Sequence, residues 1–483
     1  MTAGTAIVWF RRDLRLADNP ALLTALASAE RVIPVFVDAP EDASGWAMGS
    51  ASRWWLHHSL AALERSLAER GSRLIIRRGE AGAELRRLLA ETGARQVFWN
   101  RLYEPAAIAR DAAIKRLLRE TGIDVASFNA ALLYEPWEIG RGGGEPYRVF
   151  TPFWKAMQAR GLEPVPEPAP SSLPPVPPDL VSQPLAELRL LPGIPWDAGF
   201  HAHWQAGEAG AWARLEEFLE ADIRGYRQRR DLPGEPGTSR LSPHLHFGEI
   251  SPRQIVSAMR DREVPAADSG AGCYLREIAW REFAHHLLFH FPHTTDAPLD
   301  ARFAQLPWRE DGADEIGRWQ RGETGYPIVD AGMRELWRTG WMHNRVRMMA
   351  ASLLTKNLLV PWQRGARWFW DTLVDADLPN NSLGWQWTAG CGADAAPYFR
   401  IFNPVLQGER FDPKGEYVRR WVPELARVPD EWLHRPWEAG AERLAGWGIR
   451  LGEHYPRPIV DLKLSRERAL AAFGALKAPP ASV

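Results

Sequence analysis

The chain changes character once along its length, and that change constrains the fold more than any single motif. Up to about residue 135, short β-branched runs alternate with amphipathic stretches: Ala6 to Phe10, Val32 to Val37, Leu74 to Ile76 and Gln96 to Trp99 read as buried strands. Between them Arg53 to Gly71 and Ala106 to Gly122 place apolar residues at three- and four-residue spacing and read as helices. Such βαβα order implies a parallel sheet with helices on both faces, a doubly wound α/β domain. Between Glu163 and Pro178 eight of sixteen residues are proline, which stops helix or sheet and predicts an extended, semi-rigid connector. From about residue 205 strands disappear, and Trp212 to Arg230, Tyr274 to Phe291, Ile328 to Leu359 and Trp362 to Val374 read as helices broken by Pro and Gly. Three segments are therefore expected: an α/β domain over 1–135, a Pro-rich linker over 136–204 and a mostly α domain over 205–483.

Composition narrows the function. The 483 residues carry 59 basic and 60 acidic side chains, a formal net charge of −1, so the chain does not coat polyanions by overall charge. Any nucleic-acid contact needs a local basic groove. Two cysteines, Cys273 and Cys391, exclude a disulfide framework and a four-thiolate cluster; no metal site is expected, and the cytoplasm is the expected compartment. The apolar run Ala6 to Phe10 meets Arg11 and Arg12 too soon for a signal peptide, and no apolar stretch approaches the ~20 residues of a membrane span. Tryptophan is the outlier: 24 residues against 9 tyrosines.

Several clusters bear chemistry. No GxGxxG follows a strand, so a Rossmann fingerprint is absent. Gly237-Thr238-Ser239-Arg240-Leu241-Ser242-Pro243 offers small hydroxyls and backbone amides ahead of a helical stretch, the chemistry that holds phosphate oxygens, although such segments more often only cap a helix. Glu277, Trp280 and Arg281 fall at i, i+3 and i+4, so a carboxylate, an indole and a guanidinium share one helix face. Asn344, Arg347 and Met348 repeat that spacing on a second helix. A third segment, Asp375 to Asn381, feeds directly into Trp385 and Trp387. Buried charge without partners is expensive, so these groups read either as a salt-bridge network among core helices or as the walls of a site for a polar ligand.

With those motifs on the page, the chain resembles the DNA photolyase/cryptochrome family. The resemblance rests on Val8-Trp9-Phe10-Arg11-Arg12-Asp13-Leu14-Arg15, Thr238 to Ser242, Trp280-Arg281-Glu282-Phe283, Thr324 to Asp330, Gly340 to Arg345 and Tyr398-Phe399-Arg400-Ile401-Phe402-Asn403-Pro404, in order along nearly the whole chain. It points to the cyclobutane pyrimidine dimer photolyases, of the bacterial class I or class III kind. The implied activity is light-driven repair, in which an excited reduced FAD passes an electron to a flipped-out pyrimidine dimer whose cyclobutane ring then splits.

The resemblance also implies roles for individual residues. Tyr226, Thr238, Ser239, Arg240, Leu241 and Ser242 match a phosphate and ribityl cradle for FAD. Glu277, Arg281, Trp341, Asn344, Arg347, Asp375 and Asp377 match its remaining walls, and Asn381 the position beside flavin N5. Glu277, Trp280, Asn344, Met348 and Trp387 match the face that receives the dimer; Glu277 there would stabilise charge on a dimer carbonyl, provided that it donates a proton or a hydrogen bond. Arg345, Arg400, Gln407 and Arg410 match the rim that grips DNA. Trp385, Trp362 and Trp319 match an indole chain carrying electrons from the surface. An antenna chromophore is implied, methenyltetrahydrofolate or alternatively 8-hydroxy-5-deazaflavin, with Trp54 or Trp55 as a stacking platform. UV-damaged DNA is the expected partner, with no obligate protein partner and a monomeric state. The rivals are a cryptochrome photoreceptor and a (6-4) photolyase. Asn381, where plant photoreceptors have aspartate, and the absence of a long polar tail after the helical domain speak against the first; Asn344 and Met348, where (6-4) enzymes have histidines, speak against the second.

Overall fold

A computed structural model describes residues 4–39, 45–262, 270–309, 312–395 and 399–476. The first half alternates strand and helix: β1 (Thr5–Phe10), α1 (Pro20–Ser28), β2 (Arg31–Asp38), α2 (Ser50–Ala68), β3 (Ile75–Arg78), α3 (Ala81–Thr92), β4 (Gln96–Asn100), α4 (Pro105–Glu120) and β5 (Asp124–Phe128). The strands pair in parallel in the order β3-β2-β1-β4-β5. Because side chains alternate across a strand, β1 feeds two cores. Ala6, Val8 and Phe10 pack toward Trp54 and Trp55 of α2. Ile7 and Trp9 pack toward Leu85, Leu88, Ile114 and Leu118 of α3 and α4. This is the doubly wound sheet that the alternation implied.

Two details differ from the sequence reading. The fifth strand was not foreseen, because Asp124-Val-Ala-Ser-Phe is a sheet edge with only Val125 fully buried, so its apolar signal is weak. The segment from 136 to 204 is also more than a connector: it contains the helix α5 (Phe150–Arg160) ahead of the prolines.

After residue 205 the described chain is helical. The stretch read as Trp212 to Arg230 divides into α6 (Glu208–Glu217), a π turn, a 3-10 turn and α7 (Tyr226–Arg229). Then come α8 (Ser242–His246), α9 (Pro252–Asp261), α10 (Gly270–His290) and α11 (Ala313–Arg321). The stretch Ile328 to Leu359 breaks at Gly340, whose φ of 69° ends α12 (Pro327–Thr339) before α13 (Asn344–Ser352) begins. A π turn, Leu353–Asn357, continues α13. α14 (Trp362–Thr372), α15 (Leu378–Ala389) and α16 (Pro404–Phe411) complete the elements that surround the site.

The two halves are joined by buried polar contacts. Asp18, in the loop after β1, accepts from Ser251 Oγ at 2.6 Å and Arg253 Nε at 3.1 Å at the start of α9. Glu249, wholly buried, accepts from Trp55 Nε1 at 3.0 Å and pairs with His244 Nδ1 at 2.5 Å.

Candidate active site

The helical half encloses a cavity of about 660 Å³, walled by α7, the 239–242 loop, α10, α13 and α15. Helix periodicity explains how the walls are built. On α10, Glu277, Trp280 and Arg281 line the cavity together, and on α13 so do Asn344, Arg347 and Met348. Tyr226, Ser239, Leu241, Ser242, Arg345, Asp375, Asp377, Asn381, Trp385 and Trp387 complete the foreseen residues that reach it.

The local chemistry follows from the partners. Arg347 donates to both carboxylate oxygens of Asp375, at 2.8 and 3.1 Å, and through Nε to the Met342 carbonyl at 2.7 Å. Asp377 caps α15 by accepting from the Asn380 backbone N–H at 3.1 Å. Its other oxygen lies 3.4 Å from His246 Nδ1. Burial works against the Asp377 charge, but the imidazoles and Arg281 beside it outweigh that and hold its carboxyl well below the usual range. The Asn381 amide donates to the Ala366 carbonyl at 3.2 Å, which fixes its orientation on α15. Ser239 Oγ accepts from Tyr274 Oη at 3.0 Å. Trp280 is covered on one side by the Phe150 ring, centroids 3.8 Å apart and planes 7° apart. Glu277 is bound to the Arg230 guanidinium.

Not every foreseen residue is in the wall. Thr238 does not line it. Arg240 and Trp341 back it through Ser242: the Arg240 guanidinium lies 4.8 Å above the Trp341 ring, and Trp341 Nε1 donates to Ser242 Oγ at 3.4 Å. Arg400 and Arg410 are exposed, over Trp387 and Phe411 respectively, and Gln407 shares α16 with Arg410; none of these three lines the cavity itself. Arg345 pairs with Asp231 at 2.7 Å. Tyr398, the first residue of the last motif, lies outside the described residues.

Two expectations need correction. Trp385 and Trp319 are in contact, ring centroids 6.2 Å apart, and Trp362 is buried in the same core cluster. Yet Trp319 is 0% exposed and its Nε1 donates to the Ala350 carbonyl, so it cannot be where an indole chain meets solvent. Trp54 and Trp55 are 1% and 0% exposed and packed edge-on against Phe200, His201, Trp204 and His244. Neither offers a ring face to a ligand.

Reasoning from sequence missed Arg230, Tyr274, His246 and Asn380, all of which line the cavity. Helical spacing held the signal for two of them. Tyr274 is three residues before Glu277 on α10, and Arg230 four after Tyr226.

Fold and cavity define a two-part protein in which a doubly wound α/β half docks onto a helical half built around a cofactor-sized polar pocket. Family models agree: residues 6–170 match DNA photolyase, and residues 274–475 match the FAD binding domain of DNA photolyase. A deoxyribodipyrimidine photo-lyase of Agrobacterium fabrum is 49% identical over 99% of both chains. Cryptochrome-2 of Arabidopsis thaliana is 42% identical over 95% of this chain and 77% of its own length. The crystal structure of a bacterial class III photolyase from Agrobacterium tumefaciens superposes with a TM-score of 0.94 at 47% identity, covering 99% of this chain and 98% of that one. The chain belongs to the DNA photolyase family.

Proposed function

We propose that the protein is a deoxyribodipyrimidine photo-lyase that repairs cyclobutane pyrimidine dimers in DNA under near-UV or blue light, with FAD held in the 660 Å³ cavity. The volume falls within the roughly 300–1,000 Å³ of cofactor sites. The donor set suits FAD: hydroxyls of Ser239 and Ser242 and the cations Arg281 and Arg347 for anionic and carbonyl oxygens, with amides at Asn380 and Asn381. When bound, the reduced flavin supplies the photo-excited electron that opens the cyclobutane ring.

The residues of the chain do the rest. Trp280, backed by Phe150, offers one free ring face to an apolar dimer, and Trp387 offers another indole from α15. Asn344 donates and accepts hydrogen bonds to pyrimidine carbonyls and imides. Met348 fills the space beside it with a polarizable thioether that neither donates nor accepts a proton. A damaged pair stacks poorly, so extruding it costs less than flipping intact bases, and this selects damage. Asn381 holds an amide where a carboxylic acid would deliver a proton. Arg345, Arg400, Gln407 and Arg410 form the rim for lesion-strand phosphates. We further propose a methenyltetrahydrofolate antenna, 8-hydroxy-5-deazaflavin being the alternative, held outside the buried Trp54–Trp55 core.

The observation that carries the reading is one cavity joining a charged cofactor wall to a half-covered indole platform. The test is illumination of the reduced protein with oligonucleotides carrying either a cyclobutane dimer or a (6-4) lesion, followed by thymine absorbance. Recovery with the cyclobutane dimer alone is expected. Recovery with the (6-4) lesion alone overturns the substrate, and recovery with neither overturns repair in favour of a photoreceptor.

A further inference from the structure

Lys356 has no place in the site just described, yet its burial is costly. It is 0% exposed, on the π turn Leu353–Asn357 that follows α13, and burial drags its amine down to about 6. A lysine is rarely kept in a core without a task, because its charge must be desolvated there. Its contacts indicate the task. Nζ donates to the Ala389 carbonyl at 2.7 Å, the last residue of α15, and lies 3.0 Å from the centroid of the Phe399 ring. The fit is close: a Cβ on Gly390 would lie 3.0 Å from Nζ and 3.1 Å from the Phe399 ring.

Both partners adjoin the lesion-side wall. α15 carries Trp387 two residues before Ala389. Phe399 begins the segment in which Arg400 lies over the Trp387 ring and Phe402 stacks on it, centroids 6.4 Å apart at 28°. One turn before Lys356, Ser352 Oγ accepts the Phe402 backbone N–H at 3.0 Å. The α13–π segment, whose start walls the cavity, thus grips the end of α15 and the 399–402 segment at once.

We propose that Lys356 is a positioning residue for damage recognition, a strut between the C-terminal turn of α15 and Phe399 that sets Trp387, Arg400 and Phe402 at the spacing a pyrimidine dimer requires. Its amine meets the helix-end carbonyl and the ring face, both of which favour a donor. Ser352 is the second strut. The proposal rests on reading the Trp280–Trp387 face as the dimer site.

The test measures binding of the full-length protein in the dark to fluorescent duplexes with and without one thymine dimer, together with flavin content and melting temperature. Lys356→Met keeps the volume and removes the buried amine, so thermal stability should hold or rise. Losing one amine–ring contact and one hydrogen bond should weaken dimer binding about tenfold. Undamaged-duplex affinity and flavin content should not change. Ser352→Ala should shift dimer binding in the same direction by a smaller factor, and it provides the reading if Lys356→Met fails to fold. Wild-type dimer affinity in both variants, while the wild type still prefers damaged DNA, overturns the strut. So does a parallel fall in dimer binding, flavin content and melting temperature, which marks a general packing role. A wild type with no preference for the dimer refutes the reading of the face instead.

Discussion

Glu282 offers a sharp test of how α10 is held in place. Its side chain sits on the side of the helix away from Glu277, 4% exposed, and one oxygen accepts the backbone N–H groups of Leu133 at 2.9 Å and Tyr134 at 3.3 Å. The other oxygen has no hydrogen bond, and the nearest cation, Arg281 NH1, is 3.8 Å away while donating to the Ala131 carbonyl. Burial raises the Glu282 carboxyl from 4.5 to about 7, with Arg281 and the two N–H groups only partly offsetting it. The folded chain therefore holds a proton that the unfolded chain releases above pH 4.5. A raised folded value means that this stabilisation is full below pH 4.5 and is lost as pH climbs through 7. Between pH 4.5 and 7 that loss amounts to about 3 kcal/mol. Glu282→Gln keeps an acceptor for Leu133 and Tyr134 and removes the ionisation. Urea midpoints of wild type and variant at pH 5 and pH 8 isolate this group, because every other titration cancels in the difference. The variant should match the wild type at pH 5 and exceed it at pH 8. An equal difference at the two pH values would refute the assignment.

Further outcomes follow from the same geometry. Trp385→Phe should slow light-driven reduction of the oxidised protein at least tenfold while chemically reduced protein repairs normally, as followed by flavin absorbance; Trp319→Phe should have a smaller effect, because Trp319 contacts Trp385 but never reaches solvent. Asp375→Asn leaves the half-buried Arg347 without its carboxylate, and should cost about 2 kcal/mol in denaturant midpoint and release FAD more readily. Arg400→Ala and Arg410→Ala should weaken damaged and undamaged DNA alike, each lowering the log–log salt slope by about one.

What the sequence disclosed depended on whether a signal was periodic. The sheet and its two faces were legible because β1, β2 and β4 are buried on both sides and read as unbroken apolar runs. β5 was not, since an edge strand needs only one good face. The cavity walls were legible because Glu277–Trp280–Arg281 and Asn344–Arg347–Met348 follow helical spacing, and this fixes which side chains share a face. Spacing does not say what lies opposite. Phe150 reaches Trp280 from 130 residues away, and Arg230 reaches Glu277 from another helix. The two misread roles share a cause: an indole's burial is invisible in sequence, so Trp319 was joined to an indole chain fed from the surface, and Trp54 and Trp55 passed for a platform.

The Arg230–Glu277 pair changes what Glu277 does. The sequence reading required Glu277 to donate to a dimer carbonyl, but its carboxylate is accepting from a guanidinium. Burial lowers the Arg230 cation, and the hydrogen bond and charge of Glu277 more than restore it. A neutral carboxyl beside that guanidinium would forfeit the pairing. The donors that this pair can offer a substrate oxygen, beside the Asn344 amide, are then the remaining N–H groups of Arg230, aimed by Glu277. If the two act as one unit, Glu277→Gln, Arg230→Met and the double variant should each lower repair yield per photon by similar factors. The coupling in the cycle should be at least about 1 kcal/mol. Flavin content should fall far less than yield. Additive losses would show that Glu277 works on the dimer alone, and restore the original role.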